Sequence, residues 1–118
     1  MENEEIKYSL IIAIVNNGNT DLVMEGARNA GARGGTTLHA RGTGNIDLEK
    51  FYGVPIQNEK EIVLIIVNNE ICEKVMNSIY KAAGLETPGQ GIVFSQPLEK
   101  VYGLSPVTIK EEDEGEDK

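Results

Sequence analysis

From Tyr8 to Val15 the chain is almost wholly apolar and rich in β-branched residues, with Leu10-Ile11-Ile12-Ala13-Ile14-Val15 at its heart. Side chains alternate between the two faces of a strand, so Leu10, Ile12 and Ile14 share one face and Ile11, Ala13 and Val15 the other. Both faces are therefore apolar. Such a strand belongs in the middle of a sheet, with each side covered. The run is far too short to span a bilayer, which takes about 20 residues.

The rest of the chain supplies part of that cover. Asn16 to Asn19 is a turn, and Asn19 or Thr20 can cap a helix with Asp21 in its first turn. Leu22, Val23, Met24, Ala27 and Ala30 form its apolar stripe, and Gly31 is a plausible stop. Gly35 to Arg41 has strand character, with Thr36, Leu38 and Ala40 on one face and Thr37, His39 and Arg41 on the other. Residues 42–58 contain three glycines, Pro55 and little periodicity; a loop of this length in a small domain usually has a function. Glu61 to Val67 is a third strand. Asn68 or Asn69 caps a second helix, with a stripe of Ile71, Val75, Met76, Ile79, Tyr80 and Ala83, and Gly84 ends it. Ile92-Val93-Phe94 begins a fourth strand, which Pro97 is expected to limit, and Val101 to Leu104 is a candidate short edge strand. The order is that of an α+β, ferredoxin-like βαββαβ sandwich: an antiparallel four-stranded sheet with two helices on one face. The helices leave the other sheet face uncovered. That face is apolar, so an oligomer is expected to bury it.

At 118 residues the chain fits one domain, expected over 1–106, with an acidic, disordered tail over 107–118. Lys110 to Lys118 holds six acids and two lysines, half of the formal net charge of −8. A nucleic-acid binder needs a basic stripe, so no nucleic-acid partner is expected. No basic amphipathic helix points to direct membrane insertion. Met1-Glu2-Asn3-Glu4-Glu5 has the wrong sign for a signal peptide. Cys72 is the single cysteine and cannot form an internal disulfide, which fits a cytoplasmic protein. It lies in an apolar helix pattern, where a structural thiol is favoured over a nucleophile.

Two glycine segments flank strands. Gly34-Gly35-Thr36 opens the second strand and Gly42-Thr43-Gly44 closes it; Pro88-Gly89-Gln90-Gly91 opens the fourth. Glycine next to a strand lets backbone N–H groups approach an anion closely. Read together, Gly34-x-Thr36, Gly42-x-Gly44, the strand Glu61 to Val67 followed by Asn68-Asn69-Glu70, and Gly89-x-Gly91-x-x-Phe94 resemble the P-II signal-transduction proteins from about Tyr8 to Leu104. The resemblance implies a ferredoxin-like homotrimer with inward-facing sheets and adenine nucleotides (AMP, ADP or ATP) in the clefts between subunits. It also implies a T-loop that reports the ligand to a transporter or metabolic enzyme. Gly34, Gly35 and Thr36 match the base and ribose site. Gly42, Thr43, Gly44 and Asn45 match the base of the T-loop, here markedly short. Gly89, Gln90 and Gly91 match the phosphate-side turn.

The chain departs from the family where nucleotide binders carry cations. Ile92 stands in place of a Lys, and Gly103 and Ser105 in place of an arginine pair. Ile46 stands where many members have a Gln that helps bind metal. Arg41 and Lys60 are the nearest cations to compensate. Phe51 and Tyr52 are candidate partner-binding residues in the loop; equally, they could pin it to the body. His39, alone, makes a poor metal site, and no metal is expected. Arg28 and Arg33 fit solvated or subunit-bridging roles better than an anion patch. No catalytic residues are expected, since no Ser-His-Asp set, no Cys-His pair with an evident orienter and no Walker motif is present. Two alternatives share the fold: an acylphosphatase-like hydrolase using Arg33 with Asn45 or Asn68, and a ligand-free structural trimer.

Overall fold

A computed structural model of the chain describes residues 6–43 and 58–104. Its elements run β1 (Tyr8–Asn16), α1 (Thr20–Asn29), β2 (Thr36–Arg41), β3 (Glu59–Asn68), α2 (Asn69–Ala82) and β4 (Gly91–Leu98). The strands form one antiparallel sheet in the order β2-β3-β1-β4. This is the ferredoxin-like arrangement expected from the sequence, and β1, the most apolar strand, lies inside it.

Burial follows the alternation. Ile11, Ala13 and Val15 of β1 are fully buried beneath the helices, with Val63, Ile65, Val23, Ala27, Val75 and Ile79. Leu10, Ile12 and Ile14 face the open side and are half-buried. Register places Ile62, Leu64 and Ile66 of β3 opposite Ile14, Ile12 and Leu10, and Ile92 and Phe94 of β4 opposite Ile14 and Ile12. Leu38 of β2 lies opposite Ile62. The open face is thus a continuous aliphatic surface, and Leu38, Ile66, Ile92 and Phe94 are exposed on it.

Both helices stop where expected. Gly31 and Gly84 have left-handed φ values of 110° and 67°. The Ala32 N–H donates to the Ala27 carbonyl and the Leu85 N–H to the Tyr80 carbonyl, closing a Schellman motif on each helix. Asn68 caps α2 by accepting from the Glu70 N–H at 2.8 Å. Asn19 precedes α1 without a side-chain cap. Its ψ of 9° is not the extended backbone that a capping side chain needs. Two expectations at the C-terminal end change. β4 runs through Pro97 to Leu98, which an edge strand tolerates because one side of its ladder is unpaired. Val101 to Leu104 forms no strand.

The helices touch at Gly26. A Cβ there would lie 2.8 Å from Ala82 Cβ and 2.8 Å from the Ser78 carbonyl oxygen. The Ser78 hydroxyl donates to the Gly26 carbonyl at 2.6 Å, which holds the crossing. We predict that Gly26→Val, which adds three carbons at this crossing, costs about 1–3 kcal/mol by overpacking. Urea denaturation measures it, and an unchanged midpoint would contradict the crossing.

Candidate functional site

Antiparallel pairing gathers four chain segments at one end of the sheet: the exit of β1, the exit of β2, and the entries of β3 and β4. Glu59 lies opposite Arg41, Lys60 opposite both Ala40 and Asn16, and Gly91 opposite Val15. The Gly42–Thr43 turn and the Gly89–Gly91 turn therefore share this end. They lie on opposite edges of the sheet, three strand spacings or about 14 Å apart.

Hydrogen bonds run across this end beneath both turns. The Gly42 N–H donates to the Asn58 carbonyl at 2.8 Å, and the Asn17 N–H to the Glu59 carbonyl at 3.1 Å. Lys60 Nζ donates to Asn16 Oδ1 at 2.7 Å, and Asn16 Nδ2 donates to the Gly89 carbonyl at 3.1 Å. Asn16 and Lys60 are the polar positions that end the apolar open-face rows of β1 and β3 here. One amide side chain thus links the entry of β3 to the Gly89–Gly91 turn. Within the same turn the Gln90 N–H donates to the Thr87 carbonyl at 3.2 Å.

On the helix side of the same end, Glu61 is buried at 8% exposure. Its Oε1 accepts from the Gly18 N–H at 2.9 Å, and its Oε2 lies 3.7 Å from Nδ1 of the exposed His39. A buried carboxylate is tolerable with such partners. Glu61 ties the β1–α1 turn to β3, and His39 is its cross-strand neighbour. Among the described residues no group of three or more His, Cys, Asp and Glu could hold a metal ion.

The glycines divide by cause. Gly91 has a φ of 146°, and a Cβ on it would lie 2.4 Å from the Ile14 carbonyl oxygen. Packing against β1 thus demands glycine there whether or not a ligand binds. Gly35 is also hemmed in, with a Cβ 3.1 Å from Ile65 Cγ1 and from the Leu64 carbonyl oxygen. Gly34 has nothing within 4 Å, and a Cβ on Gly42 would make only ordinary contact with the Lys60 side chain. Within the chain, neither position requires glycine for space.

The predicted site residues do not converge in one copy. Thr36 stands level with Leu64 and Ile12, midway along the sheet, about 17 Å along β2 from Arg41. Gly34 and Gly35 precede it. Gly89, Gln90 and Gly91 lie on the far edge. Arg41 is exposed and pairs with Glu59 at 3.5 Å. Gly44, Asn45, Ile46, Phe51, Tyr52, Ser105 and the tail lie outside the described residues. Asn16 was not singled out in the sequence, although a polar residue ending an apolar open-face row is a readable signal.

Fold and turns together define a ferredoxin-like domain whose backbone-rich turns are displayed at strand ends. The family model described as Nitrogen regulatory protein P-II matches residues 8–107, and the chain belongs to the P-II family, whose members are signalling regulators. No curated protein matches the chain. Among solved structures, the crystal structure of Arabidopsis thaliana PII bound to citrate is similar in fold. Its TM-score is 0.59 at 23% identity, covering 80% of this chain and 79% of that one.

Two substitutions separate the glycine roles. Gly91→Ala should destabilise severely, because its Cβ meets β1 backbone that cannot move away. Gly42→Ala should stay within about 0.5 kcal/mol of wild type. Thermal unfolding compares them; equal melting temperatures would remove the packing explanation for Gly91. Asn16→Ala should cost about 1 kcal/mol by freeing the Gly89 carbonyl and Lys60. Denaturant unfolding measures that loss too.

Proposed function

We propose that the chain is a non-enzymatic signalling protein that assembles as a homotrimer and binds a small adenine nucleotide or related anion in the clefts between subunits. The observation that carries this is the separation of the glycine segments. Gly34–Thr36 lies midway along one edge of the sheet, whereas Gly42–Thr43 and Gly89–Gly91 lie at its end, so a second copy is needed to bring all three to one ligand. The aliphatic open face supports the same assembly, since a wet surface of this kind is costly for a monomer. Membership of the P-II family supports the signalling role.

The loop 42–58, with Phe51 and Tyr52, is the proposed contact to a partner transporter or metabolic enzyme. No helix among the described residues is long and apolar enough to cross a membrane. Such a partner would be met at a surface of the trimer, and a cytoplasmic location fits the single, unpaired Cys72.

Native mass spectrometry of the purified full chain tests the assembly and the ligand together. A trimer that retains small molecules, identified after denaturation, is the expected result. A stable monomer at micromolar concentration would overturn the proposal. Leu64→Glu, placed in the middle of the open face, should dissociate the trimer while leaving the helix-side core intact by circular dichroism.

A further inference from the structure

We infer that this cleft accepts at most one phosphate group and does not favour nucleoside triphosphates over monophosphates. The inference rests on the proposed adenylate function and sharpens its ligand class. Its basis is the charge gathered at the end of the sheet where the phosphate-side turn lies. Among the described residues, that end carries Arg41, Lys60 and, at the end of α2, Lys81. Against them stand Glu59, Glu61, Asp21 at the start of α1, and Glu86 in the turn that leads to Gly89. Carboxylates outnumber cations.

Two of the three cations are also engaged. Arg41 pairs with Glu59. Lys60 faces the turn through Asn16 and spends one of its three N–H donors there. Its remaining donors suit one phosphate oxygen pair. Ile92, the first side chain after Gly91, is 55% exposed on the same face and contributes no charge where a phosphate chain would extend. Arg33, next to Gly34, lies on the base side of the cleft. One phosphate carries about −2 at neutral pH, and each further phosphate adds negative charge beside Glu59 and Glu86. Lys60 answers the first phosphate; the second and third meet an end of the sheet where the described carboxylates outnumber the cations.

Calorimetric titration of the purified full chain with AMP, ADP and ATP, each with and without magnesium, tests this. AMP is expected to bind as tightly as ATP or more tightly. ATP binding more than about threefold tighter than AMP overturns the inference while leaving the adenylate function standing. Binding of none of the three overturns the adenylate function and this inference with it. In the variant Ile92→Lys, ATP should gain at least tenfold relative to AMP. Gln90→Lys, on the half-exposed turn, places a cation without touching the strand and guards against misfolding of the first variant. If both fold and keep the wild-type ratio, charge does not set the limit and the inference fails.

Discussion

β1 lies between β3 and β4, and both of its faces are apolar. Every other feature of the domain answers that constraint. Ile11, Ala13 and Val15 need the helices, so α1 and α2 pack on one side and meet closely enough that Gly26 can have no side chain. Leu10, Ile12 and Ile14 need a second cover, and no other part of the described chain provides it. The cost of leaving aliphatic area wet, about 25 cal/mol per Å², favours association over isolation. Stability and the proposed assembly therefore trace to one strand.

The sheet order then decides where chemistry is possible. Because β1 is central, β2 and β4 are pushed to the two edges, and the turns that follow and precede them are separated across the sheet. In the proposed site each edge would supply one part. The proposed trimer would bring an edge of one copy toward an edge of the next. The bridge from Lys60 through Asn16 to the Gly89 carbonyl ties the β4 turn to β1 and β3 and occupies a carbonyl that would oppose an anion in the proposed site.

The glycine segments were legible as a group, but not their individual causes. Gly91 and Gly35 are glycine because β1, β3 and α1 press against them, whereas Gly34 and Gly42 have room for a side chain. Sequence spacing cannot tell these apart, since the crowding at Gly35 and Gly91 comes from segments distant in the chain. Arg41 was named as a compensating cation and proves paired with Glu59, its cross-strand neighbour. Lys60 was named for the same role and is linked to the Gly89–Gly91 turn through Asn16, whose part depends on register.

The order of elements, the helix stops at Gly31 and Gly84, the α2 cap at Asn68 and the apolar open face could all be read from the amino-acid sequence. These rest on local propensity and on the periodicities of strand and helix, which neighbours in the chain determine. The full length of β4 through Pro97, the irregular course of Val101 to Leu104 and the missing cap of α1 were decided by tertiary structure. So were the burial of Glu61 beneath the Gly18 N–H and the placement of Asn16 under the Gly89 turn. Each of these depends on which strand lies beside which, and that is settled only when the sheet closes around β1.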